Sequence, residues 1–161
     1  MNDADRLRHL VVKFLRLETI AEALYRQHVH AISVEARPLF ERFVTVEAHH
    51  RQIFEHYYTT IYGLPLPTFH ISTFCACLIA EILHLFGQGP ILRFECWIEG
   101  LAIADYTQAL EWIEEPSMRK LIHEVLKDEQ QHLPFTEALL VFREDEEEHI
   151  QKMIKLQNPE S

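Results

Sequence analysis

Apolar side chains recur every three or four residues along most of this chain, which is the spacing of one face of an α-helix. This pattern predicts four long helices, with a shorter helix between the second and the third. The predicted ranges are 5–34, 38–62, 72–86, 90–113 and 117–155. Four long helices with a short connecting helix are typical of a bundle with one long crossover. The sequence therefore predicts an all-α fold in a single domain, 1–161.

Proline and glycine residues set the predicted ends of these helices. Pro38 suits a first helical turn and pushes the residue before it out of the helical conformation, so it separates the first two helices. The run 63–67, Gly-Leu-Pro-Leu-Pro, predicts a loop, and Ser72 is the predicted cap of the short helix. Pro134 lies inside the last helix, where we expect a kink.

One set of residues occurs twice along the chain, and its acids and histidines fall on these apolar stripes. The first copy is Glu18, Ala21, Ala23, Tyr25, Gln27, Glu47 and His50. The second copy is Glu99, Ala102, Ala104, Tyr106, Gln108, Glu129 and His132. The offset is 81 residues from Glu18 to Glu99 and 82 residues from Glu47 to Glu129. The two halves of the chain therefore resemble a duplicated helical hairpin.

The repeated acids and histidines have the composition of a metal site. An ionised carboxylate in an apolar stripe is costly unless a partner neutralises it. Two single glutamates and two Glu-x-x-His pairs on four helices form the ligand set of a carboxylate-bridged dimetal centre. Four carboxylates and two neutral imidazoles also balance the charge of two divalent cations. The predicted metal ligands, which are also the predicted catalytic residues, are Glu18, Glu47, His50, Glu99, Glu129 and His132.

The spacing of the two Glu-x-x-His pairs indicates different roles for their members. Residues three apart share a helix face, so Glu47 and Glu129 are the predicted bridges, and His50 and His132 are the predicted terminal ligands. Mixed oxygen and nitrogen ligation predicts two iron ions, with manganese as the alternative. Two further copies of the motif have no partner at a matching offset and predict only a solvated helix face. These copies are Glu81-x-x-His84 and Glu146-x-x-His149.

Five further residues are candidates for a supporting layer around the metal ligands. Tyr25 and Tyr106 each stand two turns after a single glutamate and could donate a hydrogen bond to the ligand carboxylate of the opposite half, or simply pack in the core. Asp128 could accept the second N–H of a ligand imidazole or carry ordinary helix-surface charge. Glu22 and Glu95 lie one turn from the single glutamates and could serve as alternate ligands, supporting residues or surface charges.

Composition excludes several classes of function. The formal charge is -10 and no cluster of Lys and Arg occurs, so a nucleic-acid partner is not expected. The three cysteines are odd in number and lack Cys-x-x-Cys spacing, so disulfides and zinc-thiolate sites are not expected. The charged N-terminal residues do not form a signal peptide, and a cytoplasmic protein is expected. The apolar segment 69–86 is interrupted by Glu81 and His84, so no transmembrane segment is predicted.

Two stretches carry a resemblance to known proteins. The run 98–106, IEGLAIADY, followed by 118–135, MRKLIHEVLKDEQQHLPF, closely resembles helices of aldehyde-deformylating oxygenases. The run 18–27 is similar to rubrerythrins and demethoxyubiquinone hydroxylases. The chain thus resembles the ferritin-like diiron carboxylate superfamily. That resemblance implies a ferritin-like four-helix bundle with an extra helix in the crossover, and it implies that the six repeated acids and histidines bind metal. The iron-tetrathiolate module of full rubrerythrins is absent from this sequence, and the substrate is not implied.

Three hypotheses for function follow. The first is a non-haem diiron oxidoreductase that activates O2 or peroxide, an oxygenase for a small apolar or aromatic molecule, with electrons from an external donor. Segment 69–86 would then wall an apolar pocket, touch a lipid surface or form a plain core helix, of which the core helix is favoured. The second is a ferroxidase, iron-binding or peroxide-detoxifying rubrerythrin-like protein. The third is a metal-free interaction bundle that uses the acidic run 144–148. Monomer and homodimer are both left open.

Overall fold

The computed structural model describes the backbone of residues 3–157, and within that range it consists of five α-helices and no strand. The helices are α1 (Asp3–His28), α2 (Arg37–Tyr62), α3 (His70–His84), α4 (Gln88–Leu110) and α5 (Pro116–Gln157). Residues 1–2 and 158–161, and the side chains of residues 3, 147 and 149–157, lie outside the described part. The prediction of an all-α fold is confirmed.

The first helix is shorter than predicted. It ends at His28, whereas the apolar pattern placed its end near Val34. Residues 29–36 form turns instead, and they bury Ile32 and Ala36 in the same apolar core as Phe40. The apolar spacing that looked like a continuing helix is produced here by a turn that closes one end of the molecule.

The other helix ends are set by local backbone chemistry. Pro38 stands in the first turn of α2, as predicted, and Gly63 closes that helix with φ +61°, its N–H donating to the Thr59 carbonyl. The predicted Ser72 cap is wrong, because α3 begins at His70 without a side-chain cap. The Glu115 carboxylate accepts the backbone N–H of the third residue of α5, Met118, at 2.6 Å, and therefore caps that helix.

The helices pack as two hairpins. α1 lies along α2 and α4 lies along α5, while α3 contacts α1 and α4, and α2 meets α5. The rings of Phe14 on α1 and Tyr106 on α4 lie 4.3 Å apart, so the two hairpins also touch through their core. α5 continues through Pro134 without interruption of the helix. None of the helices in residues 3–157 is both long and apolar enough to cross a bilayer.

Two apolar cores fill the space between the hairpins. One contains Phe14, Phe54 and Tyr106, and the other contains Tyr25 and Phe43. The hydroxyl of the tyrosine in each core reaches a buried glutamate on the facing hairpin. The polar cluster described below is thus enclosed by apolar packing on both sides.

The connecting helix α3 is not the plain core helix that its composition suggested. Ala76 and Ala80 are buried, but the larger side chains of Ile71, Phe74 and Leu78 are exposed. Its small residues therefore face the protein and its large residues face outward. The sequence left three alternatives for this segment, a pocket wall, a lipid-contacting surface and a plain core helix. The favoured core helix is wrong for the outer face, because the large side chains there are exposed.

A buried carboxylate and imidazole cluster as a candidate metal centre

The structure brings all six predicted ligands together in one buried cluster. They come from four helices, one acid each from α1 and α4 and one Glu-x-x-His pair each from α2 and α5. All six side chains are nearly inaccessible to solvent. The helical pattern placed them on core-facing stripes, and packing of the two hairpins makes those stripes converge. The six residues are Glu18, Glu47, His50, Glu99, Glu129 and His132.

The cluster divides into two overlapping groups, each of which could hold a metal ion. The first group is Glu18, Glu47, His50 and Glu129, and the second is Glu47, Glu99, Glu129 and His132. One ligand atom per residue lies within 4.8 Å of the others in its group. Glu47 and Glu129 belong to both groups. They are therefore placed where a carboxylate can bridge two adjacent ions, whereas the single glutamates and the histidines each serve one group.

Each imidazole directs its Nδ1 atom at the carboxylates. His50 Nδ1 lies 3.1 Å from Glu129 Oε1 and 3.4 Å from Glu18 Oε2. His132 Nδ1 lies 3.1 Å from Glu47 Oε1 and 3.5 Å from Glu129 Oε2. Each histidine thus lies closest to the bridging glutamate of the opposite Glu-x-x-His pair. The two halves of the cluster therefore make equivalent contacts, as expected from the repeat in the sequence.

Several of these atoms have no hydrogen-bond partner although they are buried. They include one oxygen each of Glu18, Glu47 and Glu99 and the Nδ1 atoms of both histidines. Buried polar atoms are normally satisfied, so a group of orphaned acceptors facing one point needs an explanation. Lone pairs converging at distances of 3–4 Å without hydrogen-bond geometry are what metal ligands require. The residues present therefore fit a pair of cations.

Without metal, the cluster has to retain protons. Burial, together with the charges of neighbouring carboxylates, raises the pKa of Glu18 and of Glu99 well above the ordinary value. Burial opposes protonation of His132, but Glu129 and Glu47 overcome it and raise the pKa of His132 to about 9. The pKa of His50 rises by the same balance of causes. Divalent ions would displace these protons, because carboxylate and neutral imidazole are the ligand forms.

Two tyrosines hold the single glutamates across the hairpin interface. Tyr25 on α1 donates its hydroxyl to Glu99 Oε1 on α4, and Tyr106 on α4 donates to Glu18 Oε1 on α1. Of the two alternatives that the sequence left open for the tyrosines, these contacts correspond to hydrogen bonding with the opposite half. Because the tyrosine occupies one oxygen of each carboxylate, the other oxygen is free to face the cluster.

Asp128 supports one of the two histidines. Its Oδ2 atom lies 3.3 Å from His50 Nε2, which can donate its N–H to the carboxylate. A proton on Nε2 leaves the Nδ1 lone pair directed at the cluster, as a metal ligand requires. The equivalent position in the first half is Val46, which cannot accept a hydrogen bond. The support of the imidazoles is therefore not symmetric.

The remaining predicted supporting residues have other partners. Glu22 lies in neither group and instead accepts from Arg51 Nε at 2.7 Å and from Arg26. Glu95 is fully buried, also in neither group, and contacts His28 Nδ1. Both residues thus take part in ion-pair or hydrogen-bond contacts beside the cluster rather than within it.

The sequence pattern did not indicate the contact between the buried His28 and Glu95. His28 looked like one more position of an apolar stripe, and only its imidazole set it apart. The repeat contained the missing signal, because the positions equivalent to Glu95 and His28 in the other half are Phe14 and Ala109. A polar pair in one half and an apolar pair in the other marks a place where the two halves have diverged.

The described side chains of the two unmatched Glu-x-x-His copies, those of Glu81, His84 and Glu146, lie outside the cluster. Glu81 and His84 lie on α3, where the carboxylate is exposed and its Oε2 is 3.9 Å from the imidazole Nδ1. Glu146 accepts from Arg143 at 2.9 Å on α5, and the His149 side chain lies outside the described residues. The Glu-x-x-His motif alone does not identify a residue of the cluster. The two motifs that lie in the cluster are those that recur at the offset of the sequence repeat.

Comparisons of this chain with protein-family models, with curated proteins and with solved structures find no match. The interpretation of the cluster therefore depends on its own chemistry.

Proposed function

We propose that this protein is a non-haem diiron oxidoreductase that activates O2 or peroxide. The observation that carries the proposal is a pair of four-residue groups, sharing Glu47 and Glu129, in a fully buried setting. Oxygen and nitrogen ligands in this ratio suit iron first and manganese second. Two iron ions side by side supply two-electron redox chemistry toward O2 or peroxide. Electrons would come from an external donor.

The packing of the helices supports a ferritin-like four-helix bundle as the fold of this domain. Two hairpins, α1 with α2 and α4 with α5, are joined by a crossover that contains α3. Each of the four long helices contributes a ligand candidate, and both Glu-x-x-His pairs lie on the second helix of a hairpin. This is the arrangement by which helix bundles build dimetal carboxylate sites.

The surroundings of the cluster suit redox chemistry that must exclude water. The apolar cores on both sides keep bulk solvent away, which strengthens electrostatic interactions within the site. Tyr25 and Tyr106 hold the single glutamates through one oxygen each, and Asp128 fixes the orientation of one imidazole. These contacts would hold the single glutamates and His50 in place around a bound pair of ions.

A groove of about 390 Å³ between α1, α2 and the start of α3 is the proposed access for a substrate. Its lining includes Thr19 and Arg51, which follow Glu18 and His50 directly in the chain. The rest of the lining combines apolar side chains with polar ones. The apolar side chains are Leu15, Pro67, Phe69 and Phe74, and the others are Glu55, Thr68, His70, Thr73 and Cys77. The apolar part of this lining suits a small apolar or aromatic molecule.

One observation favours a second candidate, a ferroxidase or iron-binding protein. None of the five surface cavities described, this groove included, is lined by any of the six cluster residues. A site closed to organic molecules would still admit iron and O2. The two candidates differ in substrate: an oxygenase consumes reductant together with an organic molecule, whereas a ferroxidase consumes only ferrous iron and oxidant.

The test begins with anaerobic loading of metal-free protein with ferrous iron, followed by metal counting and then exposure to O2. Two irons per chain and a new visible or near-ultraviolet absorption on oxidation are expected. Glu47→Gln should bind less iron, because it removes a shared ligand. Glu81→Gln is the matched control, since it alters a Glu-x-x-His motif outside the cluster, and it should bind as the parent does. Less than one iron per parent chain, or full loading of Glu47→Gln, would refute the proposal.

A further inference from the structure

The outer face of α3 presents large apolar side chains that the described part of the chain leaves exposed. On α3 itself these are Ile71, Phe74, Leu78 and Ile82, followed by Leu85 and Phe86 in the next turn. Their exposed fractions run from 47% for Ile82 to 82% for Ile71 and Leu85. We call these six residues the outer patch. Exposed apolar residues are common singly, but a contiguous set marks a surface that binds something.

The patch is one continuous helical stripe. Ile71, Phe74, Leu78, Ile82 and Leu85 follow one another at spacings of three and four residues, which places them on a single face. The opposite face carries the buried Ala76 and Ala80. A helix on a water-exposed surface normally has the reverse arrangement, with large apolar residues inward.

The neighbouring helix α4 presents an exposed aromatic side chain of its own. Phe94 packs against the buried alanines of α3, and its ring lies 5.8 Å from that of Trp97. Trp97 itself is 57% exposed. Exposed tryptophan and phenylalanine are among the residues most enriched at protein interfaces.

The area of this surface matches that of a dimer interface. With its exposed fractions, the outer patch presents on the order of 600 Å² of apolar side-chain surface. A standard interface buries about 800 Å² per partner, of which about 65% is apolar in homodimers. A patch centred on one helix can also pair with its own copy about a two-fold axis.

Charge distinguishes a second copy from a membrane. No Lys or Arg occurs between Arg51 and Arg93, and Glu81 is the only acid on α3. A surface that binds an anionic leaflet carries a basic rim, and a chain of formal charge -10 is repelled by it. The same charge opposes contact between two copies everywhere except at a neutral surface. From area, charge and shape, we propose that the outer patch is the interface of a two-fold homodimer of this chain.

This inference is independent of the proposed metal centre, because no residue of the metal cluster lies in the outer patch; Phe74 is the one patch residue that also lines the groove proposed for substrate access. The test is sedimentation velocity of the full chain over a wide concentration range. The parent should sediment as a dimer of twice the 19.1 kDa chain mass. Ile82→Glu, which places a charge in the middle of the interface, should sediment as a monomer with unchanged helix content. The matched control is Ile61→Glu on α2, a position exposed to a similar degree (56% against 47%), and it should remain a dimer.

A labelling experiment covers the case in which Ile82→Glu fails to fold. Cys75 is exposed and lies on α3 between Ile71 and Ile79. Its reaction with a maleimide, followed by mass spectrometry, should become faster as the parent protein is diluted and the dimer dissociates. A rate that does not change with dilution would contradict the proposal. So would a monomeric parent, a dimeric Ile82→Glu, an assembly larger than two, or flotation of the parent with phosphatidylcholine vesicles.

Discussion

Metal binding to the buried cluster should release protons, and this is the most direct solution test of the site. Both imidazoles of the cluster hold protons in the metal-free protein at neutral pH, because the pKa of His50 is raised well above its ordinary value and that of His132 is raised to about 9. Burial also raises the pKa of the Glu18 and Glu99 carboxyls. Imidazole must be deprotonated to bind a cation, so at least two protons should leave for each pair of ions.

The magnitude follows from these shifts. Removing a proton at pH 7 from a group with a pKa of about 9 costs about 3 kcal/mol. The change in binding with pH equals the number of protons released, so the two imidazole protons would weaken the overall two-ion affinity by about 10² for each unit of pH lost. Metal should therefore bind tightly in mild alkali and be lost in mild acid.

Manganese titration of metal-free protein suits the assay, because it avoids oxidation. Protons released are counted with an indicator dye in weak buffer, and affinity is measured by chelator competition between about pH 6 and 8. His132→Asn should release fewer protons and bind more weakly. His123→Asn changes an exposed imidazole on the same helix and should behave as the parent. Affinity independent of pH, or fewer than one proton per ion, would show that the cluster is not the site of binding.

Three further predictions concern stability and support of the site. Below about pH 6.5, the raised pKa of His132 stabilises the metal-free protein by about 3 kcal/mol. This contribution is lost as the pH rises through about 9, so the melting temperature of the metal-free form should fall by roughly 5–15 °C. A melting temperature that does not change over this pH range would refute the assignment. Asp128→Asn should lower metal affinity by about 10- to 100-fold with little change in melting temperature, and Glu124→Gln on the same helix is its control. His28→Leu should destabilise the fold by about 2–4 kcal/mol in urea titrations, because it leaves the buried Glu95 without its imidazole partner. The double variant with Glu95→Leu should recover much of that loss. A double variant no more stable than His28→Leu would contradict the pairing.

Much of the architecture and the core of the site were predictable from local patterns. Apolar spacing identified five helices, and Pro38 and Gly63 marked ends that the structure also has. The repeat selected two of four Glu-x-x-His motifs, and the structure places those two together in the core. A repeated pattern carries this information because duplicated segments with the same facing stripe bury the same positions.

Other features depend on which side chains lie opposite one another. The end of α1 at His28 follows from the burial of Ile32 and Ala36 in the core, which helical periodicity does not encode. The contact of His28 with Glu95 joins two helices that are distant in sequence, so neither residue alone predicts it.

The sequence by itself determined the all-helical fold, the repeat, and the acids and histidines that face inward, because the 3.6-residue period decides which positions share a helix face. The tertiary structure decided that these faces converge on two overlapping groups, that each tyrosine reaches the opposite hairpin, and that α3 turns its large side chains outward. Those outcomes depend on the rotation of each helix against its neighbours. That rotation is set by the packing of side chains between helices. The apolar period within one helix carries no information about this packing.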